Sequence, residues 1–162
     1  WHSLARHLAY DPRDSRRVMD AHFETLIGTA DRPYFEISTL IEGVQPRLPR
    51  DSFAWTNWWG HVSFGGTGML GGGFMNRASK QAHARALILA IRARRFARSG
   101  GRAPGRITAV VDAGEEELLV NPVDGQSWSY EPATRTITGI ERSLAYDNGG
   151  FIAKASQFEI VF

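Results

Sequence analysis

The hydrophobic positions change their spacing along the chain. At 3–27 they suit two helical pieces. The first, Ser3 to Ala9, is short, and Asp11-Pro12 interrupts it with a good N-cap and a first-turn proline. Val18, Ala21, Phe23, Leu26 and Ile27 then fall near one helical face, and Gly28 is the expected stop. Tyr34 to Ile41 is apolar-rich and fits either helix or strand. The clearest helix runs over 76–98. Ala82, Ala86, Leu89, Ala93 and Phe96 make one stripe, and Leu87, Ala90, Ile91 and Ala97 widen it. Gly100-Gly101 ends it. From there the pattern is β-like: apolar runs at 107–111 and 118–120, a turn at Asn121 to Gly125, and alternating or β-branched runs at 127–130, 136–140 and 158–162.

These elements predict an α+β fold. Helices at 3–27 and 76–98 pack on a small antiparallel sheet formed by the C-terminal third. The expected core is Leu87, Ile91, Phe96, Val110, Leu119, Trp128, Tyr130 and Ile140. Two segments follow from the pattern. Residues 1–75 are a helical extension plus a Trp/Gly-rich stretch, and 76–162 are the helix and sheet, the two folding together as one compact unit.

Residues 53–73 differ from everything around them. Three of the five tryptophans lie here, and six of the last nine residues are glycine. Glycine at that density adds backbone entropy and no core side chains, which predicts an extended surface segment with aromatic anchors. Trp55, Trp58, Trp59 and Phe64 are the candidate partner-binding residues. Gly66 to Gly71 spells G-x-G-x-x-G, but no carboxylate follows before Asp112 to hold a ribose, so a dinucleotide site is not read there.

Charge falls in blocks. Residues 1–51 carry seven Lys/Arg against eight Asp/Glu, 52–111 carry nine against none, and 112–162 carry three against nine. The basic middle can be neutralised by the acidic tail or offered to an anionic partner. Arg92, Arg95 and Arg98 are the candidate anion-binding residues. The competing reading is a solvated helix face paired with Glu115, Glu116 and Glu117. With 162 residues, 43% hydrophobic and 22% charged, the composition is that of a globular domain. The absence of cysteine excludes disulfides, thiolate zinc sites and a cysteine nucleophile. No stretch is apolar for the length of a membrane span. The chain begins at Trp1 rather than Met, as expected of a processed or trimmed chain with room for a signal peptide or anchor upstream. None of the five histidines forms a tight metal pair, and no G-x-S-x-G elbow is present.

Three stretches from 82 to 150 carry a family likeness. ARALILAIRARRFARSGGRAP is a helix ending in G-x-x-P. LLVNPVDGQSWSY follows, and then ITGIERSLAYDNGG. Through their order and spacing the C-terminal half of this chain resembles type II secretion pseudopilins and uncharacterised, membrane-tethered exported bacterial proteins. Asn121 stands where the pseudopilin turn usually has Asp, and Trp128 and Tyr130 match its aromatic pair. The resemblance implies a helix on a small antiparallel sheet, in a periplasmic or extracellular domain tethered to the membrane through a segment outside this chain. It implies a calcium loop, for which Asp147 alone matches as a ligand, and no other cofactor is expected. It also implies a non-catalytic role by protein–protein contact with other envelope or secretion proteins. Two alternatives stand beside it. One is a nucleic-acid-binding module using the basic helix 76–98, with the tryptophans stacking on bases. The other is a hydrolase, with His61 or His22 beside a carboxylate in a deep pocket.

Overall fold

A computed structural model describes residues 12–43, 68–147 and 150–162. In order they form helix α1 (Pro12–Thr29), helix α2 (Tyr34–Gly43), helix α3 (Gly68–Gly100), two 3₁₀ turns (Ile107–Val110 and Glu116–Leu119), and strands β1 (Ser129–Glu131), β2 (Thr136–Asp147) and β3 (Gly150–Val161). The fold is α+β, with α3 packed on a three-stranded antiparallel sheet of order β1-β2-β3. Contacts divide the chain into two compact units, residues 1–32 with 37–71, and residues 33–36 with 72–162.

In the first unit α1 exposes Ala21, Phe23 and Ile27, the last 73% accessible. These residues do not form a buried face there. Thr29 and Ile37 are buried.

The second unit has one core. Met75, Ala78, Ala82, Ala86, Leu89, Ala90 and Ala93 come from one face of α3. Ile107, Val123, Trp128, Ile137 and Tyr34 complete it, and Val110, Leu119, Tyr130 and Phe158 pack around them. The helix contributes mostly alanines, so its backbone comes close to the sheet while the large side chains arrive from the strands and loops. Trp128 Nε1 donates to Leu118 O over 2.7 Å, and its ring meets Phe158 edge-on. Tyr130 Oη donates to Pro104 O over 2.8 Å and stacks on Phe162. Burial pushes the Tyr130 phenol pKa up.

Several expectations are corrected. The runs 107–111 and 118–120 are 3₁₀ turns rather than strands, with only Val120 bridging to Ser127. Both are short and flanked by turn residues, so each closes on itself in i→i+3 bonds, Val111 N donating to Thr108 O and Val120 N to Glu117 O. The glycines at the end of the Trp/Gly stretch are helical, because α3 begins at Gly68. Gly72 has a reason to be there, since a Cβ at this position would run into the end of the Leu144 side chain. The strands at 136 and 158 are the ends of a long hairpin, paired from Thr136↔Val161 to Asp147↔Gly150. Leu87, Ile91, Phe96 and Ile140 are exposed, not core.

The 121–126 turn matches its sequence. Asn121 Oδ1 accepts from Val123 N, Gly125 N donates to Asn121 O, and Gln126 N donates to Asp124 Oδ1. Gly125 has φ +73°, and the Phe35 ring lies where its Cβ would be.

Candidate functional site

Helix α3 carries seven cations and no carboxylate. Two of them turn toward the acidic segment that follows the helix. Arg92 makes a two-pronged contact with Glu115, at 2.5 and 3.0 Å, and lies 3.7 Å from Asp112. The pairing holds the Glu115 carboxyl below the usual glutamate range, and the same hydrogen bonds raise Arg92. Arg85 donates to Glu117 O, Val120 O and the Glu117 carboxylate, clamping the second 3₁₀ turn to the helix. Glu116 instead accepts from Gly114 N.

The other five, Arg77, Lys80, Arg94, Arg95 and Arg98, are exposed and have no carboxylate partner among the described residues. At about 100° per residue they fall on the half of the helix turned away from the sheet. Ala84, Leu87, Ile88 and Ile91 lie on that same half. Their spacing is i, i+3, i+4, i+7, the repeat of a packing stripe. Leu87 is 51%, Ile88 39% and Ile91 45% exposed. The helix therefore has two apolar stripes, one buried on the sheet and one facing out. Arg77 and Lys80 stand at one end of the outer stripe and Arg94, Arg95 and Arg98 at the other. An open depression of about 400 Å³ runs along Gly73, Asn76, Arg77, Lys80, Gln81 and Ala84 at the N-terminal end.

The site residues read from the sequence separate in space. Arg95 and Arg98 belong to the outward face, while Arg92 is held by Glu115. Trp55, Trp58, Trp59 and Phe64 lie outside the described residues, as does His61. The side chains of His22 and Asp147 also lie outside them. Asp147 ends β2 opposite Gly150. Among the described residues no group of three or more His, Cys, Asp or Glu gathers as a metal site, and no helix is long and apolar enough to cross a membrane. The sequence hides the outer stripe because Leu87 and Ile91 also widen the buried one, yet the spacing 84, 87, 88, 91 marks a second face.

One polar chain lies elsewhere. Ser156 Oγ donates to Glu141 Oε1 at 3.1 Å, and Glu141 Oε2 is 3.6 Å from His83 Nε2. His83 stacks on Phe158, and its Nδ1 is 3.0 Å from Ser79 O, which makes Nδ1 the protonated nitrogen. Here the carboxylate sits between hydroxyl and imidazole. A serine nucleophile needs the imidazole next to its hydroxyl, so this order does not activate Ser156.

Comparison of the chain with protein-family models, curated proteins and solved structures finds no match.

Proposed function

We propose that this chain is a non-catalytic binding module that acts by protein–protein contact through the outward face of α3. Leu87, Ile88 and Ile91, exposed at packing spacing in the middle of that face, carry the reading. Aliphatic side chains gain free energy only by leaving water, and a protein surface offers that exchange. A phosphate backbone does not, so the aliphatic centre weighs against the nucleic-acid alternative even though five cations lie beyond its two ends. The likeness of 82–150 to exported pseudopilin-like domains supports placing the contact in a bacterial envelope or secretion assembly.

The test is a photocrosslinking amino acid at position 91 in the native host, with one at Arg135, an exposed turn residue, as control. A discrete protein adduct at 91, absent at 135, insensitive to nuclease and lost with Leu87→Asp, is the expected result. A nuclease-sensitive adduct, or none at 91, overturns the reading.

A further inference from the structure

Resting on that reading, we infer that the partner element is an acidic amphipathic helix laid along α3, its apolar stripe on Leu87, Ile88 and Ile91 and its carboxylates at the two cationic ends. Shape selects a helix. Ala84 with Ile88 and Leu87 with Ile91 form two parallel i, i+4 ridges, and the groove between them accepts the ridge of another helix. Charge selects acid. The cations lie beyond both ends of the aliphatic patch, and Lys80 and Arg94 are about 21 Å apart along the axis. A partner helix of four or five turns spans that distance and can set Glu or Asp against both ends. The depression beside Arg77 and Lys80 is also lined by Asn76 and Gln81, whose amides are further donors at that end.

The same arrangement disfavours other occupants. A second copy packed antiparallel on this face would set Arg77 and Lys80 of one chain against Arg94, Arg95 and Arg98 of the other, cation against cation. A membrane-surface helix wants a broad apolar face with cations along its flanks. Here the apolar patch is only four residues, spread over two turns from Ala84 to Ile91, and the cations sit beyond its ends.

The full chain is titrated with two synthetic helical peptides of about 20 residues sharing one Leu/Ile stripe. One carries Glu at both ends and the other Lys at the same positions. The acidic peptide is expected to bind at least about tenfold tighter, with affinity falling as salt rises. The triple variant Arg94→Glu, Arg95→Glu, Arg98→Glu is expected to lose that preference and gain affinity for the Lys peptide. Leu87→Ser with Ile91→Ser should weaken both. All five positions are exposed, and circular dichroism checks that each variant is folded. Equal binding of the two peptides overturns the inference. So does acidic-peptide binding that ignores the triple variant, self-association through this face, or preferential binding to phosphatidylglycerol vesicles. A position-91 adduct that forms while the peptides fail would leave the contact surface standing and remove only the acidic helix as its occupant.

Discussion

Ser79 and Arg142 are joined twice. The Ser79 hydroxyl donates to Arg142 O over 2.8 Å and accepts from Arg142 N over 3.0 Å. β1 pairs with β2 only as far as Thr138, so beyond Gly139 no strand among the described residues lies along that edge of β2. A helix side chain takes the place of the missing strand, satisfying both backbone groups of one residue. Asn121 does the same one step earlier, donating from Nδ2 to Ile140 O over 2.9 Å.

Replacing Ser79 by Ala removes both bonds at a site only 8% exposed. The expected loss of stability is about 1–3 kcal/mol, read from urea unfolding. Faster hydrogen exchange at the Arg142 amide should accompany it. Unchanged exchange there would mean the edge is held by something other than Ser79.

The Arg92–Glu115 pair gives a pH signature. Glu115 has a depressed folded pKa, so the folded state favours its charged form. Its contribution to stability is therefore complete above the ordinary glutamate pKa and is lost as pH falls through the depressed folded value. Arg92→Ala should raise the Glu115 pKa toward the ordinary value in a carboxyl NMR titration. The stability gap between wild type and variant should be widest near neutral pH and close in acid. A gap independent of pH would show that Arg92 acts through packing alone.

The order of elements was largely legible. The alanine stripe of α3 names its own buried face, and Asn121 to Gly125 spells its turn. Less legible were features fixed by neighbours. Val110 and Leu119 look like strand residues because apolar runs flanked by turns look alike whether or not a strand lies within reach. Gly72 reads as a helix breaker until Leu144 is beside it. Leu87 and Ile91 read as core because a helix with two apolar faces blurs into one wide stripe. Only the sheet, by covering the other side of α3, separates the outer stripe from the buried one. Arg92 and Arg95 are alike in sequence, and only the fold places Glu115 against one of them.

Gly139 is a third contact fixed by the fold. A Cβ there would lie 2.5 Å from Trp128 Cζ3 and 3.0 Å from two Phe158 ring atoms. Both rings are held, Trp128 by its bond to Leu118 O and Phe158 by the His83 stack. Gly139→Ala should cost about 1–3 kcal/mol from overpacking, seen as a lower urea midpoint. Pairing it with Phe158→Leu should recover part of the loss, since the smaller side chain yields space. No recovery in the double variant would place the strain at Trp128, the closer of the two rings.

Asn121 is 2% exposed and uses both halves of its amide, Oδ1 accepting from Val123 N and Nδ2 donating to Ile140 O. An aspartate keeps the first bond. It turns the second into a carboxylate oxygen facing a carbonyl oxygen, with no hydrogen between them unless the acid is protonated. Burial and that repulsion both favour the neutral acid, so the folded pKa of the new Asp is raised. The folded state then holds a proton that the unfolded state releases, and the variant loses stability as pH rises through the raised value. Asn121→Asp should therefore be close to wild type in mild acid and weaker by about 2 kcal/mol at neutral pH. A urea midpoint measured across that range checks this. A variant as stable at neutral pH as in acid would mean that the Ile140 carbonyl has another donor and that the edge of β2 does not depend on the amide.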